Sequence, residues 1–116
     1  MTFSLNTVCL FPGRTVTEAA EIGGQFGFNT YELWGVDSEV IAELAVLEKT
    51  RGVHFSAVVA REFVLNDPTR RQDYLTALVQ LMDDLAVTNC RGIITHVGQD
   101  NGLSRPEQHR SIVDGL

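Results

Sequence analysis

Residues 30–35, TYELWG, alternate a large apolar side chain with a charged or indole-bearing one. Successive side chains of a strand point to opposite faces, so Tyr31 and Leu33 are expected on one side, with Glu32 and Trp34 on the other. The Tyr31 side suits packing against helices. The Glu32 side then becomes a polar surface near a strand end, a combination that suits the mouth of an enzyme barrel.

The pattern extends in both directions as strand, loop, helix. Upstream, FSLNTVCLF (3–11) is a strand candidate, and TVTEAAEIGGQFGF (15–28) is expected to be helical from Thr15 or Thr17 to a stop near Gly27. Downstream, Asp37 or Ser38 is placed to cap a second helix, in which Val40, Ile41, Leu44, Leu47 and Glu48 recur at helical spacing up to Gly52. VHFSAVVA (53–60) is β-branched and apolar enough for a buried strand. After the loop REFVLND (61–67), a long helix is expected from Pro68 to about Val87, with Tyr74, Leu75, Leu78, Leu81, Met82 and Leu85 on one face. GIITHVG (92–98) is the fourth strand candidate.

Ser104 and Glu107 then form a capping-box pattern at the start of a last helix, which should run well past Leu116. The expectation is therefore a single domain over residues 1–116, a partial (β/α) barrel truncated in its fourth helix. An unbroken βα alternation calls for a parallel α/β sheet. Two architectures satisfy it: the N-terminal half of a (β/α)8 TIM barrel, which in full takes about 250 residues, or an open doubly wound sheet. An open sheet that binds a nucleotide commonly shows a glycine fingerprint after its first strand. FPGRT (11–15) carries neither GxGxxG nor GxxxxGK[ST]. Alternation also lets Asn6, Ser56 and His96 project toward the interior that Glu32 and Trp34 face.

Composition narrows the function. Nine Lys and Arg against 15 Asp and Glu give a net charge of −6, unsuited to a nucleic-acid surface, whose phosphate contacts need clustered cations. No apolar run reaches the about 18 residues of a membrane span, and no basic-then-apolar leader opens the chain, so the cytoplasm is the expected compartment. Cys9 and Cys90 lie far apart without CxxC spacing and are expected to be reduced, buried thiols with no chemistry.

NTVCLFPG (6–13), AAEIGGQFGFNTYELWG (19–35), the segment FVLNDPTRRQDYL that continues to HVGQ (63–99), and SRPEQHRSIVDGL (104–116) together resemble the hydroxypyruvate isomerase-like proteins of the xylose isomerase-like TIM-barrel superfamily. The order and spacing of these pieces, over nearly the whole chain, carry the resemblance. It implies a sugar or keto-acid isomerase or epimerase acting by metal-assisted proton transfer through an enediol. It also implies Mg²⁺ or Mn²⁺ in the complete enzyme, held by ligands from later strands. No metal ligand and no catalytic residue is expected within these 116 residues, and the chain alone is expected to be inactive and to hold no cofactor.

What remains is substrate binding. His96, near the end of its strand, is a candidate to bond a substrate hydroxyl or act in proton transfer, and Gln99 just beyond shares the polar-contact reading. Trp34 offers an apolar wall. Glu32 can orient a substrate or join a buried polar network, and Asn6 can bond backbone or substrate. Arg61 and Glu62, after the third strand, can meet an anionic keto acid or form a solvated pair. His54 and His109 are read as structural or solvated. The alternative to an isomerase is a non-catalytic half-barrel that self-associates as a homo-oligomer or binds a partner, because open sheet edges and uncovered apolar faces invite pairing.

Overall fold

The computed structural model of the chain describes residues 3–61 and 64–116. Its elements in chain order are β1 (Leu5–Asn6), α1 (Thr7–Leu10), α2 (Val16–Gln25), β2 (Thr30–Trp34), α3 (Ser38–Arg51), β3 (His54–Val59), α4 (Arg71–Leu85), β4 (Ile93–Ile94) and α5 (Arg105–Gly115). The strands form one four-stranded parallel sheet in the order β1-β2-β3-β4. The fold is α/β, as the alternation predicts.

Local chemistry sets most helix boundaries. Thr15 opens α2 with a reciprocal capping box to Glu18, and Ser104 opens α5 in the same way with Glu107. The Asp37 side chain accepts from the Val40 N–H at 2.8 Å to cap α3, which ends at Gly52 with φ of 64°. α4 starts three residues later than Pro68. The Asp67 carboxylate accepts from the Thr69 N–H at 2.9 Å and its hydroxyl at 2.7 Å, holding Pro68–Arg70 in a turn.

Two strands are shorter than their sequence suggests. β1 stops at Asn6, whose Oδ1 accepts from the Cys9 N–H at 2.9 Å and turns the chain into the helical turn α1. β4 pairs only at Ile93 and Ile94. Past them, the Val97 carbonyl accepts from the Asn66 N–H at 2.9 Å in the loop after β3.

The core lies on one face of the sheet. Tyr31, Leu33, Phe55 and Val58 meet Ala20 of α2, Ile41, Leu44 and Leu47 of α3, and Leu81 and Leu85 of α4 in one cluster. Tyr31 is 1% exposed, and its hydroxyl donates to the Ala20 and Phe28 carbonyls at 3.1 and 3.0 Å. Only glycine fits beside it: a Cβ on Gly23 would stand 2.4 Å from the Tyr31 oxygen.

A register shift next to Tyr31 completes this face. Tyr31 is level with Phe55 and Glu32 with Ala57, so Ser56 is the extra residue, and its hydroxyl donates to the Tyr31 carbonyl at 3.2 Å. The bulge changes the phase of β3, allowing Phe55 and Val58, three apart, to share the core.

Among the described residues no helix layer covers the second face, where Ser56 and Trp34 are exposed. The radius of gyration, 16.1 Å, exceeds the about 13 Å of a compact domain of this length. Among the described residues, no helix is long and apolar enough to cross a membrane.

Candidate functional site at the open face of the sheet

The expected alternation of β2 puts Glu32 and Trp34 opposite Tyr31 and Leu33. Glu32 is half-buried and Trp34 is 48% exposed at the strand's C-terminal end. Register sets Asn6 of β1 level with Glu32. The Asn6 Nδ2 donates to Glu32 Oε1 at 2.7 Å, and the Trp34 indole Nε1 donates to the same oxygen at 3.2 Å. Because the Asn6 Oδ1 is used by the cap of α1, both ends of this amide are fixed, and its donor faces the carboxylate.

Glu32 Oε2 accepts no hydrogen bond from a described residue, and no described Lys, Arg or His pairs with Glu32. The Thr7 hydroxyl donates to the Glu32 carbonyl at 3.3 Å, tying α1 to β2. Below this trio, the Ser4 and Ser56 hydroxyls meet at 2.7 Å. The result is a fixed carboxylate with one oxygen occupied and one open, beside an exposed indole face. It can accept a hydrogen bond from a ligand hydroxyl while the indole packs on carbon.

Arg61 lies elsewhere. It pairs with Asp37 at 3.4 Å and lines a cleft of about 270 Å³ between the start of α3 and α4, with Val36, Tyr74, Leu78 and Leu81. The Val40 N–H, and after it the Arg61 charge, hold the Asp37 carboxyl below its ordinary range. Glu62, its expected companion, lies outside the described residues.

His96 is exposed in the segment after β4, beyond the strand that was expected to carry it. The Gln99 side chain makes no hydrogen bond among the described residues. Its carbonyl accepts from Asn66 Nδ2 at 2.6 Å, so Gln99 contributes through its main chain. His54 and His109 are both exposed, on β3 and α5. Cys90 is buried, and burial raises its thiol pKa; Cys9, expected to be buried, is exposed on α1.

A polar network joins the last helix to the loops after β3 and β4. Gln108 is buried and donates through Nε2 to Asp100 at 3.0 Å and to the Leu103 carbonyl at 2.7 Å, while its Oε1 accepts from Asn66 at 3.3 Å. Ser111, also buried, donates to the Leu65 carbonyl at 2.7 Å. A Cβ on Gly115 would approach Leu65 to 2.7 Å. Gln108, Ser111 and Gly115 follow helical spacing, which is the one trace of this docking face in the sequence. The apolar positions expected to dock, Val113 and Leu116, are exposed, and Ile112 is half-buried.

Mg²⁺ and Mn²⁺ want several converging oxygen ligands. Glu32 offers one open oxygen, and among the described residues no group of three or more His, Cys, Asp or Glu converges. These residues do not by themselves fit the ion that the resemblance implies. No family model, curated protein or solved structure matches the chain.

Proposed function

We propose that the chain supplies the substrate-binding face of a barrel-type sugar or keto-acid isomerase or epimerase, similar to the hydroxypyruvate isomerase-like proteins. The observation that carries this proposal is the trio Asn6, Glu32 and Trp34 on adjacent parallel strands, with Asn6 and Trp34 at the C-terminal ends, where barrel enzymes keep their chemistry. Strand order supports the barrel over a doubly wound sheet. In a doubly wound sheet the order reverses and helices cover both faces, whereas here four strands follow chain order and α2, α3 and α4 share one core. Glu32 orients the substrate by accepting from a hydroxyl, Asn6 holds that carboxylate in place, and Trp34 walls the pocket.

Trp34 is the only tryptophan of the chain, so its indole N–H gives one resonance in a ¹H–¹⁵N spectrum. Titration with small sugars and 2-keto acids should move it saturably. A resonance indifferent to both classes at tens of millimolar would contradict the proposal.

A second reading is a non-catalytic half-barrel that pairs with a second copy. The sheet face that no described helix layer covers, with Trp34 exposed on it, favours it. Light scattering coupled to gel filtration tests it, since a dimer supports pairing and a monomer removes it.

A further inference from the structure

The polar trio also selects between the two substrate classes, an inference that rests on the site proposed above. A 2-keto acid is an anion that needs a cation to receive its carboxylate. The fixed charge at this face is the Glu32 carboxylate, on which no described cation is seated. Arg61, the residue expected to meet a keto acid, is paired with Asp37 beside the cleft between α3 and α4, on the helix-covered side of the sheet. The groups bonded together with Glu32 or beside it, Asn6, Ser4, Ser56 and the Trp34 indole, are neutral. The chain's net charge of −6 adds a field of the same sign.

Both donors fixed to Glu32 use Oε1, so Oε2 is left open to a ligand that brings its own donor. A hydroxyl provides one at no electrostatic cost. The bond from Nε1 to Glu32 also holds the indole plane while leaving its face half exposed, a platform for the C–H face of a polyol or sugar ring. We infer that this site binds a neutral polyhydroxylated ligand, an aldose or ketose, in preference to a 2-keto acid anion, with a hydroxyl on Glu32 Oε2 and carbon on Trp34.

The test follows the Trp34 indole resonance of the full chain during titration with D-fructose and, separately, with hydroxypyruvate at low and high salt. The sugar should bind at least about ten-fold tighter at low salt, and added salt should narrow the gap by screening the repulsion of the acid. Glu32→Gln should weaken the sugar and strengthen the acid, reversing or abolishing the preference, and a thermal melt checks that this variant folds. Tighter binding of hydroxypyruvate, or a preference unchanged in Glu32→Gln, would overturn the inference while leaving the site itself standing. Failure of both ligands to move the resonance would remove the site as well.

Discussion

Asn6 and Glu32 are locked side by side: one amide caps α1 through Oδ1 and holds the carboxylate through Nδ2 at 2.7 Å. Asn6→Ala removes both bonds and should cost about 1–2 kcal/mol of stability, read as a lower denaturant midpoint. Asn6→Asp is more informative, because it keeps the cap acceptor but sets a second carboxylate against the first. One of the two must then hold a proton in the folded state, so its folded pKa rises above the unfolded value. Relative to the parent chain, the variant's loss of stability should be smallest at low pH and grow as pH rises through the raised pKa. A variant that tracks the parent at every pH would show that the two side chains do not meet.

The Tyr31 hydroxyl leaves no room beside Gly23. Gly23→Ala should destabilise by about 1–3 kcal/mol through overpacking. Tyr31→Phe alone should cost about 1 kcal/mol for its lost bonds. Combined, the two should cost less than their sum, since the phenyl ring removes the clashing oxygen. Additive losses would show that Gly23 and Tyr31 do not touch.

Several capping carboxylates set the acid limit of the fold. Bonds from Thr15 hold Glu18 below its ordinary 4.5, and the Ser104 hydroxyl and N–H do the same for Glu107. The Val40 N–H lowers Asp37, and bonds from Thr69 and from Gly102 lower Asp67 and Asp100 from an ordinary 3.8. Folded values below unfolded ones mean that this stability is present above the ordinary carboxylate range and is lost as pH falls through the folded values. Melting temperature should be flat with respect to these groups at neutral pH and should drop in acid below about pH 4. Ser104→Ala should lower the neutral plateau and shrink the acid drop.

The last helix should depend on polar contacts. Gln108→Leu removes the bonds to Asn66, Asp100 and the Leu103 carbonyl and should cost about 1–3 kcal/mol. Amides of α5 should then exchange faster while those of β2 and β3 stay protected. Val113→Ser, at an exposed position, should be near neutral. Equal effects from both substitutions would mean that the helix docks through the wrong face.

These cases also separate what the sequence could reveal from what it could not. Thr15, Asp37, Gly52 and Ser104 act on backbone groups within a few residues, so helix ends were readable. The TYELW alternation was readable because one face is apolar, and it located Glu32 and Trp34 correctly relative to Tyr31 and Leu33. Strand lengths were not. β1 ends where Asn6 prefers its local cap, and β4 ends where Val97 bonds a loop remote in sequence. The same remoteness hid the network of Asn66, Asp100 and Gln108, since a polar residue carries no mark that its partner will be supplied 40 residues away. Arg61 was placed correctly after β3, but Asp37 as its partner follows only from the packing of α3 beside that loop.

The most direct test of the central claim, that the Asn6, Glu32 and Trp34 face receives the ligand, is a crystal structure of the chain soaked with a ketose. The ligand should lie on the open face of the sheet, with a hydroxyl within hydrogen-bond distance of Glu32 Oε2 and its carbon skeleton against the Trp34 indole. Density in the cleft between α3 and α4 beside Arg61, with the open face empty, would contradict the account.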